Sequence, residues 1–329
     1  MSLLAPTLQA FFGQRLLRQR QVSPHTVAAY RDAVRLLLGY VQKTTSKSPS
    51  QLDFDDLDAT RIGAFLEYLE QERGVSVATR NARLAALRSL FKFAALHHPE
   101  HAALIQRVLA IPNKRGDSSL VVFLTRDEIE ALLRSPDRTT RIGRRDHAML
   151  TLAIQTGLRV SELTSLRRAD FELGPGANVH CVGKGRKERR TPLTRPTVTV
   201  LRAWMDERAG RPEDAVFTGP RDTPLGRHAF YRMVVRHVAM AARECPSLTS
   251  KRVSPHVLRH TNAMQLRQAG IDLSSIALWL GHESPRTTQV YLHADLAEKR
   301  KTIAKVTPLG GRGGPYRPAD PLLAYLEAL

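Results

Sequence analysis

The stretch that decides the fold is LGHESPRTTQVY at residues 280–291, which places His282 nine residues before Tyr291. Three upstream fragments belong with it: TGLRVSEL at 156–163, GKGRKER at 183–189 and PHVLRH at 255–260. Together the four fragments supply two arginines, one lysine, two histidines and a tyrosine. One such fragment is weak support for any fold, whereas four in register in a strongly basic chain are hard to reach by chance.

Composition favours a globular protein with a polyanionic partner. The chain has 329 residues, enough for two domains, and 42% of them are apolar, which argues against wholesale disorder. The net charge is +19 and the pI is about 10.7, as in many nucleic-acid-binding proteins. Arg outnumbers Lys 40 to 10. GC-rich coding alone can raise the Arg count, although the planar guanidinium fork also suits phosphate recognition.

Cysteine usage and the scarcity of long apolar runs bear on where the protein acts. Cys181 and Cys245 form no metal-type pair and no disulfide framework, which fits a reducing compartment. The chain starts without a basic region followed by a long apolar run, and no stretch approaches the roughly 20 apolar residues of a membrane span. We therefore expect a cytoplasmic protein without a membrane partner.

Two motifs could indicate a metal or nucleotide site, and the sequence favours neither. His97, His98 and His101 lie around Pro99 with no Cys or carboxylate set at ligand spacing, so a helix end is expected there and no metal site. The glycine-lysine-glycine stretch at 183–185 is too short for a phosphate-binding nucleotide loop.

The first part of the chain predicts helices only. Ser23 and Pro24 begin a helix as an N-cap followed by proline, and apolar residues then recur at helical spacing up to Val41. Further expected boundaries are a polar loop at 44–50, an N-cap at Thr60, a helix end at Gly74 and a helix start near Ser76.

The second part predicts helices around one β-hairpin. A capping box at 125–128 begins a helix, and the largely apolar helix at 145–155 stops at Gly157. Residues 179–182 and 189–193 indicate two strands joined by a basic tip. Later helices are expected at 195–209, 226–243, 256–269 and 273–280, with stops at Gly270 and Gly281.

These patterns predict a mainly α protein of two domains. The polar segment that separates them carries Gly and follows Pro112. The glycine-rich stretch near the end is typical of a flexible linker, and the apolar helix expected at 321–329 is poorly stable alone, so it folds back or docks on a neighbouring subunit. The expected divisions are a helical domain at 1–112, a linker at 113–119, an α+β domain at 120–306 and a tail at 307–329.

The four fragments resemble the tyrosine recombinases, the phage integrase and Xer family, over most of the chain. The resemblance implies a helical, SAM-like core-binding domain followed by an α+β catalytic domain with a small sheet. In that family a tyrosine attacks a DNA phosphodiester, giving a 3′-phosphotyrosyl link and a free 5′-hydroxyl. A partner strand reverses the reaction, and two rounds pass through a Holliday junction. No metal or nucleotide cofactor is consumed.

The resemblance also assigns catalytic roles to individual residues. Arg159 and Arg259 match the two arginines that neutralise the charge growing on the phosphate oxygens. Glu162 matches an acidic position that holds the geometry of the site. Spacing adds independent support here, because His256 and Arg259 are three apart on a helix and share a face.

The proton-transfer and nucleophile positions are matched as well. Tyr291 corresponds to the nucleophile, and Lys184 at the hairpin tip corresponds to the general acid for the departing 5′-oxygen. His256 corresponds to the residue that assists proton transfer from the nucleophile and contacts the phosphate. His282 corresponds to a hydrogen-bond donor to that phosphate.

Basic residues outside these positions are candidates for contacts to DNA phosphates. For the charges on the expected helix after Ser76, a solvated helix surface is an open alternative. The candidates are Arg80, Arg83, Arg88, Lys92, Lys114, Arg115, Arg186, Lys187 and Arg189.

The expected function is that of a site-specific recombinase or integrase. The resemblance implies a bacterial, nucleoid-associated protein whose partner is double-stranded DNA with specific sites. It also implies a homotetramer that binds two duplexes. A need for a second recombinase or accessory protein stays open. A type IB topoisomerase and a non-enzymatic DNA-binding regulator are the alternatives. Chromosome-dimer resolution, phage integration and transposon movement are not separated by the sequence, although the tail and the insertion at 246–252 point towards a mobile element.

Overall fold

The computed structural model describes residues 4–116, 121–183, 188–219, 221–281 and 288. Its contacts divide the chain into two units, Met1–Ser118 and Ser119–Leu329. Helices dominate both, and the second unit adds a three-stranded antiparallel sheet, in agreement with the expected fold class. Within these ranges, no helix has the length and apolar character needed to cross a membrane.

All the regular secondary structure in the described residues of the first unit is helical. Ser23 and Ser76 cap helices as expected, because each side chain accepts a hydrogen bond from a backbone N–H in the first turn. Phe11, Phe54 and Phe91 are fully buried in its core. The α-helices are α1 (Leu4–Ala10), α2 (Pro24–Thr45), α3 (Ala59–Gln71), α4 (Val77–Ala94) and α5 (Ala102–Ala110), with a π-helical segment at Phe11–Gln19.

Three expected boundaries in this unit are wrong. The N-cap of α3 is Asp58, whose carboxylate accepts from the Arg61 N–H at 2.7 Å, so Thr60 lies inside the first turn. The helix ends at Gln71, and Gly74 takes up its positive φ in the turn that follows. The expected loop at 44–50 is shorter than predicted, because α2 continues to Thr45 and a 3₁₀ turn begins at Pro49.

The second unit packs its helices around α7, which is buried along most of its length. The capping box at Thr125 is present, and Gly157 ends α7 at a φ of 62°. The predicted helix at 321–329 lies outside the described residues. The α-helices are α6 (Arg126–Arg134), α7 (Arg141–Thr156), α8 (Val160–Thr164), α9 (Arg195–Arg208), α10 (Arg227–Ala241), α11 (Pro255–Gln268) and α12 (Leu273–Leu280).

The predicted hairpin is part of a slightly larger sheet. Its strands are β2 (Asn178–Val182) and β3 (Glu188–Pro192), and a short strand β1 (Phe171–Glu172), which the sequence did not indicate, pairs with β2. Cys181 lies opposite Arg189 in the β2–β3 ladder. Val179 and Cys181 therefore face the core together with the second and fourth residues of β3.

The ends of α7 and α12 meet closely, and this contact positions the site. A side chain on Gly157 would place its Cβ 2.7 Å from a methyl group of Leu280 and 2.8 Å from the amide oxygen of Asn262. Only glycine leaves room for this approach. The Trp279 ring N–H adds a hydrogen bond of 3.2 Å to the carbonyl oxygen of Thr156.

Candidate active site

Arg259 links the ends of two helices. It lies on α11 with only 3% of its surface exposed. Its Nη1 donates to the carbonyl oxygen of Gly157 at 2.6 Å, and its Nη2 donates to that of Leu280 at 2.7 Å. The last carbonyls of a helix have no partner within the helix and carry its negative dipole end, so a guanidinium is well suited to them.

Arg159 holds the next carbonyl along the chain. It is the N-cap residue of α8, and its Nη2 donates to the carbonyl oxygen of Gly281 at 2.7 Å. The side chain remains 31% exposed. Arg259 binds the carbonyl oxygen of Leu280, and Arg159 binds that of Gly281. The two arginines therefore bind consecutive peptide groups, the second of which joins Gly281 to His282. Sequence analysis paired these arginines, and the structure brings them to one place.

Glu162 is the acidic centre of the site. Its side chain is 2% exposed, and its carboxylate accepts from the backbone N–H of Arg159 and from Arg159 Nη1, each at 2.8 Å. Burial alone would raise the pKa of the Glu162 carboxyl. The hydrogen bonds from Arg189 and from Arg159, with the charge of Arg189, outweigh burial and hold the pKa below its usual range. The carboxylate is therefore ionised at neutral pH.

Arg189 meets the same carboxylate from β3. Its Nη1 and Nη2 donate to the two oxygens of Glu162 at 3.1 and 2.7 Å, a bidentate arrangement, and its side chain is 13% exposed. The sequence analysis predicted a phosphate contact for Arg189, whereas its guanidinium faces inward. A signal was present in the sequence: Arg189 alternates with Thr191 on the inner face of β3, and an inward-facing charge requires a partner.

His256 and His260 lie one turn apart on α11. Their ring centroids are 4.6 Å apart in an edge-to-face arrangement. Desolvation lowers the pKa of His256, and the charges of Arg259 and Arg159 lower it further. Desolvation, His256 and Arg259 lower the pKa of His260 to about 4. Both imidazoles are therefore neutral at pH 7, and His256 can accept a proton.

The remaining predicted catalytic residues, and two predicted phosphate contacts beside Lys184, lie outside the described residues. They fall in the ranges 184–187, 282–287 and 289–329, which the structure does not describe. The first segment is joined to the start of β3, and the second begins directly after Gly281, the C-cap of α12. The residues concerned are Lys184, Arg186, Lys187, His282 and Tyr291.

Several side chains of the first unit that were predicted to contact phosphates bind groups of that unit instead. Arg80 Nη1 donates to the carbonyl oxygen of Pro112 at 3.2 Å, and Arg88 Nη2 donates to that of Ile111. Lys114 Nζ lies 3.1 Å from a carboxylate oxygen of Glu70. Other predicted contacts on this unit are the half-buried Arg83 and the exposed Lys92 and Arg115.

Metal-ligand geometry is not found in the described part of the chain. No three side chains of His, Cys, Asp or Glu converge there as ligands. His98 instead bonds to the hydroxyl of Thr7 at 2.7 Å, and its ring lies against Phe54.

Sequence comparison identifies relatives over both units. The model of the phage integrase family matches residues 122–298, and the model of the phage integrase N-terminal SAM-like domain matches residues 9–98. The chain is 51% identical over 326 residues to the putative integrase/recombinase y4rC of Sinorhizobium fredii, covering 99% of this chain and 98% of that protein. It is 32% identical to tyrosine recombinase XerC of Pelobacter propionicus, covering 90% and 94%.

Solved structures share the fold. A XerH site-specific recombinase bound to a palindromic difH substrate aligns with a TM-score of 0.71 at 24% identity, covering 87% of this chain and 81% of that one. The Tn1549 transposon integrase in complex with a circular intermediate DNA aligns with a TM-score of 0.69 at 17% identity, covering 90% and 98%.

Proposed function

This chain belongs to the phage integrase family and is a tyrosine recombinase, and we propose that it cuts and rejoins duplex DNA through a covalent tyrosyl intermediate. In the first step the Tyr291 oxygen attacks a backbone phosphorus, and the bond from phosphorus to the 5′-oxygen breaks. A 3′-phosphotyrosyl ester and a 5′-hydroxyl result. The hydroxyl of a partner strand then attacks the ester, and a second round resolves the Holliday junction.

One observation carries this proposal: Arg259 and Arg159 bind the consecutive carbonyls of Leu280 and Gly281. The chain therefore enters the segment of His282 and Tyr291 directly beside both guanidiniums. Side-chain bonds to the described residues occupy two of the five N–H donors of Arg159, so donors remain for a phosphate. Two cations fixed before the reaction can stabilise the charge that grows on the non-bridging oxygens, and this chemistry requires neither metal nor nucleotide.

The protons have matching donors and acceptors in this scheme. His256 is neutral at pH 7 because desolvation and the charges of Arg259 and Arg159 lower its pKa, so it can take the proton of the Tyr291 hydroxyl. Lys184 gives a proton to the departing 5′-oxygen. His282 donates a hydrogen bond to a phosphate oxygen.

The proposed division of labour follows the sequence. Residues 1–112 bind the DNA core site, 113–119 connect, and 120–306 catalyse. Four protomers act on two duplexes, and the tail at 307–329 docks on a neighbouring protomer. Basic side chains of both units, Lys92 and Arg115 among them, contact phosphates. The partner is double-stranded DNA at specific sites.

A nicked-duplex library tests the nucleophile, the polarity and the site together. The full chain is incubated with duplexes of randomised core sequence that carry a nick, so that the cleaved end diffuses away and the adduct is trapped. We expect a covalent adduct whose peptide, by mass spectrometry, carries the 3′-phosphate on Tyr291. Sequencing of the trapped DNA should return one family of sites.

Two controls separate this account from its alternatives. Tyr291→Phe should bind the selected duplex with wild-type affinity and form no adduct. Adducts of equal yield on every library sequence, with relaxation of plasmids that lack the selected site, would instead indicate a topoisomerase. If Tyr291→Phe recombined the selected sites as the wild type does, the proposed nucleophile would be wrong.

A further inference from the structure

We infer that Arg189 is a positioning residue of strand transfer, which fixes Arg159 through Glu162 and fixes the base of the Lys184 loop against the end of α12. This inference rests on the proposed function and deepens it. Arg189 would touch no DNA. Its role would be to hold three separate catalytic segments in one geometry.

The hydrogen bonds run in series from β3 to α12. Arg189 binds both oxygens of Glu162, at 3.1 and 2.7 Å. Glu162 Oε1 accepts from Arg159 Nη1 at 2.8 Å, and Arg159 Nη2 donates to the Gly281 carbonyl at 2.7 Å. Arg159 is thus held at both Nη atoms, one by the carboxylate and one by the peptide group before His282. A guanidinium restrained in this way meets the phosphate without reorganisation.

Arg189 also contacts the end of α12 directly. Gly281 has a φ of 65°, and a Cβ built there would lie 2.9 Å from Arg189 Nη1 and 3.2 Å from its Cζ. The guanidinium therefore packs against Gly281 in the space that a side chain at this position would occupy. One side chain touches both the carboxylate that orients Arg159 and the residue that precedes His282.

Its place in the sheet ties the general acid to this arrangement. Arg189 is the second residue of β3 and lies opposite Cys181 of β2. The neighbouring pair, Val182 and Glu188, is the last of the ladder on the side of the Lys184 segment. Because Arg189 is anchored on α8 through Glu162, the base of the loop is held at a fixed place relative to Arg159.

The charge of Arg189 keeps the Glu162 carboxylate ionised. Burial favours the neutral carboxyl, and the bonds and charge of Arg189 are foremost among the contacts that keep the pKa of Glu162 low. Without that guanidinium the pKa should rise. A protonated Glu162 would hold Arg159 less tightly, because it would lose its charge and one acceptor site.

The test compares three variants of the full chain on the wild-type-selected nicked duplex. Arg189→Met removes the guanidinium, and Arg189→Lys keeps the charge without the fork. Arg144→Met is the matched control, because Arg144 makes an equally bidentate pair with Glu207, at 2.7 and 2.8 Å, near the opposite end of α7. Adduct formation is followed in single turnover at saturating protein, together with affinity across a salt series.

We expect Arg189→Met to slow adduct formation by about 100-fold, as a small misplacement of a catalytic group does. Adduct formation by Arg189→Lys should be about tenfold faster than by Arg189→Met and still slower than by the wild type, since one ammonium cannot replace a bidentate fork. Arg144→Met should stay within about twofold, as surface pairs are weak. The affinity and its salt slope should not change, whereas loss of a phosphate contact would reduce the slope by about 0.9.

The pH profile gives a readout that a merely structural role would not move. Two groups contribute to the loss of activity at low pH, because His256 must be neutral and Glu162 must be ionised. Arg189→Met should move the Glu162 contribution to higher pH and leave that of His256 in place. In a Glu162→Gln background, adding Arg189→Met should slow adduct formation by less than about threefold, because the two residues act in series.

The two levels of failure are distinguishable. Absence of any wild-type adduct would overturn the proposed function and this inference with it. A wild-type adduct that Arg189→Met forms at the wild-type rate would overturn the inference alone. So would a variant whose whole defect lies in affinity and salt slope, since Arg189 would then be a phosphate contact.

Discussion

Arginine side chains hold backbone carbonyl oxygens in both units, in different surroundings. In the second unit, Arg259 is 3% exposed and binds carbonyls at the ends of two helices. In the first unit, Arg80 and Arg88 on α4 bind the carbonyls of Pro112 and Ile111, in a segment without helix or strand. The same donor is therefore anchored to a rigid acceptor in one unit and to an irregular surface segment in the other.

We expect this difference to separate an arginine that acts in catalysis from one that exchanges its binding partner. A carbonyl at a helix end cannot leave without unwinding the helix, so it keeps Arg259 in one geometry through every step. The segment at 111–116 is not part of a helix, and we expect DNA phosphates to replace its carbonyl oxygens on Arg80 and Arg88. We therefore expect substitutions in the second unit to change rates, and substitutions on α4 to change affinity.

The largest effect is expected for Arg259→Lys. An ammonium cannot bridge the carbonyls of Gly157 and Leu280 and also face a phosphate, so adduct formation should fall by about 1,000-fold. One buried carbonyl left without its donor should also cost about 1–3 kcal/mol of stability, measured by denaturant unfolding. Affinity for the selected duplex should remain. A large loss of affinity at an unchanged saturated rate would erase the contrast between the units.

Gly281→Ala should give the next largest effect. The new Cβ would meet Arg189 Nη1 at 2.9 Å in a backbone conformation with positive φ, so both the helix end and the guanidinium must shift. We expect adduct formation to fall by about 100-fold. Gly270→Ala is the matched control, since Gly270 also has positive φ, at 86°, but its added Cβ meets nothing within 4 Å. Equal losses in both variants would mean that backbone strain, not contact with Arg189, is the cause.

The pH dependence of cleavage should report His256. Desolvation, with Arg259 and Arg159, lowers its pKa below the usual 6.5, and the neutral form is the proton acceptor. The single-turnover rate should be level above pH 6.5 and fall about tenfold per unit below the pKa. His260 titrates near pH 4 and would give a separate limb. A rate that rises as pH falls would contradict a neutral acceptor.

The smallest effect is expected on α4. Arg88→Met removes one candidate phosphate contact, so affinity for the selected duplex should fall about three- to fivefold and the salt slope by about 0.9. The saturated rate of adduct formation should not change. Arg107→Met, on the exposed side of α5, is the control for loss of one charge. An affinity that rises in Arg88→Met would show that the contact with the segment at 111–116, not with DNA, is its function.

Much of the fold could be predicted because helix starts are local chemistry. Ser23, Ser76 and Thr125 cap helices where expected, since each side chain bonds to N–H groups within its own first turn. Asp58 was missed in favour of Thr60 because both are good caps and the sequence alone does not rank them. The strand β1 has two residues and is defined by its partner, so no periodicity could indicate it.

The site was predictable in its residue types and less so in its connections. Arg159 bonds to Glu162, and Arg259 bonds to the carbonyl of Gly157 at the end of α7, because each lies on or beside a helix whose neighbours are set by packing. Their catalytic roles stay predictions. The pairing of Arg189 with Glu162 depends on strand register across 27 residues, which no local rule supplies. The hydrogen bonds from Arg80 and Arg88 to the carbonyls of Pro112 and Ile111 likewise depend on how the segment at 111–116 runs along α4.

The most direct test of the account replaces the charged scissile phosphate of the selected duplex with a neutral methylphosphonate. If the two guanidiniums act by neutralising charge, the defect of Arg259→Met, which removes the charge that Arg259→Lys keeps, should shrink from at least about 1,000-fold to less than about tenfold on the neutral linkage. The defect of Tyr291→Phe should persist. An Arg259→Met defect of the same size on both linkages would contradict the central claim.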